Sequence, residues 1–222
     1  MMITPQQIEH IKTPPEFGSL QFEVEVAPVS LQASSERRQA VRESVSAAVR
    51  QVQYLLSGDV RLEIEWLIHE RDRYESDSAP DVDNIIKPML DGICGPNGLL
   101  IDDCQVQAVD CRWIDWTGNQ KVRFLFHFMS DEWVPKASLV FVHIGGNLYM
   151  PLNRSAPPKT QLLIIDHWDK MVALRDQIEE LTGDYFMART VMPIQRPFHK
   201  SRLREFTLLE SQEIRSALES IS

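Results

Sequence analysis

Between Asp81 and Val106 the chain reads DVDNIIKPMLDGICGPNGLLIDDCQV, and this stretch constrains the fold more than any other. Its first half predicts a helix from about Asp83 to Cys94. Cys94-Gly-Pro-Asn-Gly98 then breaks the helix outright. A strand is expected from Gln105 onward. The chain must therefore join a helix to a strand across a short turn. Asp81 and Asp83 stand at one end of the stretch, and Asp102 and Asp103 at the other.

The flanking segments supply a sheet. Leu20 to Val26 alternates apolar and polar residues, which predicts a strand with one wet face. Ser34 or Ser35 can cap a helix running to about Leu56, with Val41, Val45, Val49 and Val52 as its apolar stripe and Gly58 at its end. Val60 to His69 reads as a second strand, with Val60, Leu62, Ile64, Trp66 and Ile68 facing inward. Arg71 to Pro80 reads as a loop. Gln105 to Trp116 and Lys121 to Met129 read as two strands, with Thr117 to Gln120 as a hairpin turn. Residues 1–18 are expected to be irregular, because Pro5, Pro14 and Pro15 interrupt them. The order strand, helix, strand, helix, strand, strand implies an α/β (α+β) fold: a small mixed β-sheet covered by two helices.

The pattern changes after Trp133, which sets a boundary between 1–133 and 134–222. A strand is expected at Ser138 to Ile144, followed by a Gly145-Gly146 turn, a loop from Pro151 to Lys159 and a short strand at Leu162 to Ile165. Asp166 can cap a helix to Leu181, with Gly183 just beyond. Thr207 and Glu210 have capping-box spacing and predict a final helix to about Ile221. This C-terminal α/β extension reads equally as a separate domain or as a cover for the first sheet.

Composition excludes several classes. No run of about 18 apolar residues exists to span a membrane. The N-terminus has neither the basic region nor the apolar core of a secretion signal. Cys94, Cys104 and Cys111 lack C-x-x-C spacing, so reduced thiols in a cytoplasmic protein are expected. The formal net charge is -9, which disfavours non-specific attraction to nucleic acid. Residues 1–130 carry 12 Lys+Arg against 20 Asp+Glu, whereas 131–222 carry 11 against 12. The acidity therefore belongs to the part that holds the central stretch.

The central stretch is arranged for chemistry. In a helix, Asp83, Lys87 and Asp91 lie at i, i+4 and i+8 on one face. Asp81 sits just before them, and Asp102 and Asp103 reach the mouth of the next strand. Like charges a few ångströms apart repel by about 4 kcal/mol per pair at an intermediate dielectric. A hard divalent cation removes that cost and accepts carboxylate oxygens in octahedral geometry, with Mg²⁺ as the natural choice. Such an ion activates water and polarises a phosphoryl oxygen. A nearby lysine stabilises developing negative charge. The plainer readings are helix capping by Asp81 and Asp83 and solvated i, i+4 ion pairs on the helix face. An EF-hand loop is excluded, because DVDNIIKPMLDG lacks glycine at position 6 and ends in Gly instead of Glu.

The stretch resembles the signature of the RusA family of Holliday junction resolvases: D-x-D-N-x-x-K, an aspartate four residues after the lysine, a short loop, then D-D-x-Q-V. The matching residues are Asp81, Asp83, Asn84, Lys87, Asp91, Asp102, Asp103, Gln105 and Val106. The resemblance covers a little over half the chain and says nothing about 134–222. It implies a nuclease domain at 1–133 in which Asp81, Asp83 and Asp103 bind Mg²⁺, with Mn²⁺ as a substitute, and Lys87 is essential. Asp91 and Asp102 are expected either to support those ligands from behind or only to cap and solubilise. The resemblance also implies a symmetric homodimer, since two matched cuts in a four-way junction call for two sites related by a two-fold axis.

How an acidic chain meets DNA needs its own answer. Tyr185 to Arg204 contains Arg189, Arg196, Lys200, Arg202 and Arg204, three aromatic residues and no acid, and it is the candidate phosphate-gripping segment. The expectation is a Mg²⁺-dependent endodeoxyribonuclease that cuts branched DNA. The alternatives are a non-catalytic module on the same scaffold, or a nuclease for another DNA structure.

Overall fold

The structure is a computed structural model that describes residues 10–77, 79–193 and 195–219; Pro5 and Ile221 lie outside the described residues. The chain divides into two compact units, 1–133 and 134–222.

In the first unit the order is β1 (Ser19–Val24), α1 (Ser35–Val49), β2 (Tyr54–Leu56), β3 (Val60–Ile68), α2 (Glu70–Tyr74), α3 (Val82–Ile93), β4 (Val106–Asp115) and β5 (Lys121–Phe128). The main sheet has the strand order β1-β5-β3-β4. β5 is antiparallel to both β1 and β3, while β4 runs parallel to β3. This is the expected mixed α+β sheet, with one correction. β4 and β5 do not form a hairpin, because β3 lies between them. The Thr117–Gln120 segment is a connection across the end of β3. Turn residues alone could not distinguish the two, since both need a tight reversal.

One ladder row shows how the sheet is built. Glu23 pairs in register with Arg123, Arg123 with Glu65, and Glu65 with Arg112, so charges alternate across all four strands. Arg123 reaches Glu23 at 2.8 Å and Glu65 at 2.7 Å, and Arg112 reaches Glu65 at 2.6 Å. Burial opposes ionisation of Glu23 and Glu65, but hydrogen bonds from Lys121 and Arg123 to the first, and from Arg112 and Arg123 to the second, hold both below the usual glutamate range. The neighbouring row points to the other face and is apolar: Phe22, Phe124 and Ile64 are buried there, with Phe22 and Phe124 stacked at 4.9 Å.

The two long helices of this unit pack on each other. Ser34 caps α1, which buries Val41, Val45 and Val49. The helix stops at Val49, short of the expected Leu56, and Tyr54–Leu56 becomes a strand instead. α3 buries Ile85, Met89 and Ile93 at i, i+4 and i+8. Gly92 is the point of closest approach: a Cβ there would stand 2.6 Å from Cβ of Val45. Pro88 lies in the interior of α3, beyond its first turn. A proline deprives the carbonyl four residues back of its helical donor. Here that carbonyl is Asn84, and the backbone N–H of Leu31 donates to it at 2.9 Å. A loop partner invisible to sequence reading therefore makes the proline tolerable.

After β6 (Trp133–Pro135), the second unit contains β7 (Leu139–Gly145), β8 (Leu148–Asn153), α4 (Pro158–Thr182), α5 (Tyr185–Arg189), β9 (Phe198–His199), β10 (Leu208–Leu209) and α6 (Ser211–Glu219). Its own sheet has the order β10-β7-β8-β9. Val142, Ile144, Met150, Ile165, Trp168 and Ile214 form a separate core. The expected strand at Leu162 to Ile165 is instead part of α4, which starts with Pro158 in its first turn and ends at left-handed Gly183. Leu208–Leu209 of the expected last helix is a strand, and that helix begins at Ser211. Glu213 Oε2 accepts from the backbone N–H of Glu210, so the cap lies three residues later than the T-L-L-E spacing suggests. Among the described residues no helix is long and apolar enough to cross a membrane.

Candidate active site

The acids and the lysine of the central stretch come from two places, α3 and the short 3-10 turn Asp103–Gln105 that leads into β4. Lys87 is the link between them. Its Nζ lies 2.5 Å from Oδ2 of Asp103 and 2.9 Å from Oδ1 of Asp91. Partial burial works against the charge on Lys87, but hydrogen bonds to Asp103 and Asp91 outweigh it and raise its pKa above the ordinary lysine range. The ammonium is thus firmly charged and remains about half exposed at 49%.

Asp81 occupies the N-cap position of α3 yet makes no side-chain cap hydrogen bond. The simple capping reading therefore does not account for it. Its carboxylate is 78% exposed, with Arg73 at 4.0 Å as a loose neighbour. Asp83, in the first turn of α3, is exposed, and its side chain makes no hydrogen bond or ion pair among the described residues. Asp102 serves the backbone, since its Oδ1 accepts from the N–H of Cys104 at 3.0 Å and starts the 3-10 turn. Asp103, next to it, presents a carboxylate that is 24% exposed.

Two groups of residues therefore meet here in different ways. Lys87, Asp91 and Asp103 are joined. Asp81 and Asp83 stand at the first turn of the helix, one turn before Lys87. No three Asp, Glu, His or Cys side chains are gathered around a single point among the described residues. In donor chemistry Asp81, Asp83 and Asp103 fit a hard divalent ion, since all three offer carboxylate oxygens and the first two are held by no strong partner.

Two neighbours of these residues have surroundings that the sequence does not display. Cys94, at the end of α3, is pushed well above the ordinary thiol range by burial and by the charges of Asp103 and Asp102, which keeps it a neutral thiol. Gln105 is buried, and in the sequence it is only a matching letter. Amide groups carry no charge pattern, so its bonding network leaves no trace there. The basic segment is in the second unit. Arg189, Arg196, Lys200, Arg202 and Arg204 are all exposed. Buried Phe198 and Leu203 anchor the 198–204 part of it, and Phe198 packs edge-on against Phe141 at 5.9 Å.

The first unit is thus a small α+β domain that sets several carboxylates and one charged lysine at a helix–strand junction. Residues 16–124 match the family model of the endodeoxyribonuclease RusA, and the chain carries a domain of that family. Asp81, Asp83, Asp91, Asp102 and Asp103, with Lys87 and Gln105, fall inside the match, while the second unit falls outside it. Nucleases of this family are generally dependent on a divalent metal. No curated protein matches the chain.

Proposed function

We propose that this protein is a divalent-metal-dependent endodeoxyribonuclease that cuts branched DNA, with four-way junctions as the substrate and a homodimer as the active form. The observation that carries the reading is the clasp of Lys87 by Asp91 and Asp103 beside a helix turn bearing the uncommitted acids Asp81 and Asp83. In a RusA-family domain this is where phosphodiester chemistry belongs.

Asp81, Asp83 and Asp103 would hold Mg²⁺, or Mn²⁺ in its place. When bound, the ion supplies an activated water and neutralises charge on phosphate oxygens. Asp103 links the two halves of the site, because its carboxylate already meets Lys87. Lys87 offers a permanent positive charge to the negative charge that builds on the scissile phosphate. Asp91 keeps the ammonium oriented from the next helical turn, and Asp102 supports the loop that carries Asp103. Residues 1–133 act as the nuclease domain. The extension, 134–222, presents Arg189, Arg196, Lys200, Arg202 and Arg204 to the DNA backbone, which answers the acidity of the first unit. Two copies related by a two-fold axis would place matched cuts across one junction.

A second reading, a non-catalytic module on a RusA-type scaffold, is favoured by one observation: no three ligand-type side chains are gathered among the described residues. Incubating the protein with a four-way junction, a flap and a linear duplex, with and without Mg²⁺, separates the two. Mg²⁺-dependent cutting that prefers the junction supports the nuclease. Tight junction binding with no cutting under any metal supports the module. Preferential cutting of the flap keeps the chemistry and replaces the substrate.

A further inference from the structure

We infer that Gln105 is the positioning residue of the candidate site: its buried amide fixes the loop that delivers Asp103 to Lys87. This role rests on the reading of the site given above and adds to it a residue that touches neither metal nor DNA.

Gln105 is one of few buried polar side chains among the described residues, at 3% exposed. A glutamine amide has two acceptor positions and two N–H donors, and all four are engaged. Oε1 accepts from the backbone N–H of Ile101 at 2.8 Å and of Asp102 at 3.1 Å. Nε2 donates to the carbonyl of Leu56 at 2.9 Å and of Gly58 at 2.8 Å. Two N–H groups on one side and two carbonyls on the other leave a single orientation for the amide. Reversing it would set donors against donors and acceptors against acceptors.

These bonds tie the acidic loop to the chain that leads from β2 into β3. Leu56 is bound from another side as well, since its own N–H donates to the carbonyl of Leu99. The residue immediately after Asp102 is Asp103, whose carboxylate sits 2.5 Å from Lys87 Nζ. Without the clamp, the loop that carries Asp103 loses its side-chain tie to the segment between β2 and β3. No other side chain of this size can replace it. Methionine has the length and none of the bonds, an ionised glutamate accepts but cannot donate to the two carbonyls, and asparagine is one methylene too short to span both sides.

The plain alternative is a folding staple with no bearing on catalysis. Q105M and Q105N in the full chain distinguish the two through three readouts: amide hydrogen exchange, Mn²⁺ affinity, and kcat against KM on a four-way junction. If Gln105 positions the loop, Q105M keeps the sheet, with amides of β3 still protected, while the amides of Ile101 and Asp102 exchange at least about tenfold faster. Mn²⁺ binding should weaken about tenfold, and kcat should fall on the order of a hundredfold with KM changed by less than about threefold. Q105N should fall between Q105M and the native protein. Native kcat, native Mn²⁺ affinity or full protection of Ile101 and Asp102 in Q105M overturns the inference. So does a uniform loss of protection across the sheet with native kcat in the folded fraction. If Q105M does not fold, Q105N decides by the same readouts. If the native protein cuts no DNA, the proposed function fails, but the exchange and Mn²⁺ measurements still test the clamp.

Discussion

Replacing Lys87 with methionine separates the proposed chemical role of this residue from its structural one, because the two carry very different expected magnitudes. Lys87 is 49% exposed, Asp91 44% and Asp103 24%, so both ion pairs are partly open to water, the one to Asp91 more than the one to Asp103. Pairs of this kind contribute about 0.2–1 kcal/mol each. Methionine keeps the aliphatic length of the side chain. Its introduction leaves Asp91 and Asp103 facing each other without a cation, but Asp91, at 44% exposed, can turn toward water. The expected loss of stability is therefore about 1 kcal/mol, a shift of roughly 0.5 M in a urea midpoint at ordinary slopes. The chemical loss is larger. A charge aimed at the transition state in a site that excludes water on substrate binding contributes about 3–4 kcal/mol, or roughly a hundredfold to a thousandfold in kcat. The assays are urea unfolding followed by circular dichroism, and single-turnover cleavage of a labelled four-way junction. A kcat within about threefold of the native value refutes the role given to Lys87. A stability loss above about 3 kcal/mol shows that the cation is chiefly structural and that the exposure argument is wrong.

Three further outcomes follow from the same structure. Gly92→Ala places a methyl group against Val45, so it should destabilise the first unit by about 1–3 kcal/mol in urea unfolding. A neutral result would mean the two helices separate freely. Glu23 and Glu65 have folded pKa values below the ordinary glutamate value, so their contribution is present above that value and is lost as pH falls through the lowered ones. Stability of the native protein should therefore decline in acid below about pH 4.5, and Arg123→Met should flatten that decline; an unchanged acid limb contradicts the charge ladder. Charge reversal of Arg196, Lys200 and Arg202 together should weaken junction binding and reduce its salt dependence, measured on the folded fraction. Unchanged affinity and salt slope would remove this segment from the DNA interface.

The first unit was legible in the sequence because its strands have one apolar and one charged face, and alternation records that directly. The Val41, Val45, Val49 stripe and the Cys94–Gly98 break were equally plain. Strand partners were not, since β3 lies between β4 and β5 through pairings that leave no local mark. A proline at position 88 within a helix implies a carbonyl without its helical donor, but the Leu31 N–H that satisfies Asn84 comes from a distant loop. At the site, spacing showed that Lys87 and Asp91 share a helical face, and geometry added the reach to Asp103. Asp102 turned out to cap the 3-10 turn, a role indistinguishable in sequence from ligand support. The second unit is less legible in its sequence. α4 absorbed a segment that looked like a strand because Leu162 to Ile165 is a short apolar run, and such runs suit a buried helix as readily as a strand. There the structure supplies the fold, and the basic surface remains the main functional lead.

The central claim is that Asp81, Asp83 and Asp103 turn together to hold one cation beside Lys87. Crystals soaked in Mn²⁺, examined by anomalous scattering, test it most directly. The account predicts a peak within about 2.0–2.3 Å of an oxygen from each of the three carboxylates, and its loss in Asp83→Asn. Saturating Mn²⁺ that leaves the three acids apart and produces no peak, or a peak that survives Asp83→Asn, contradicts the account.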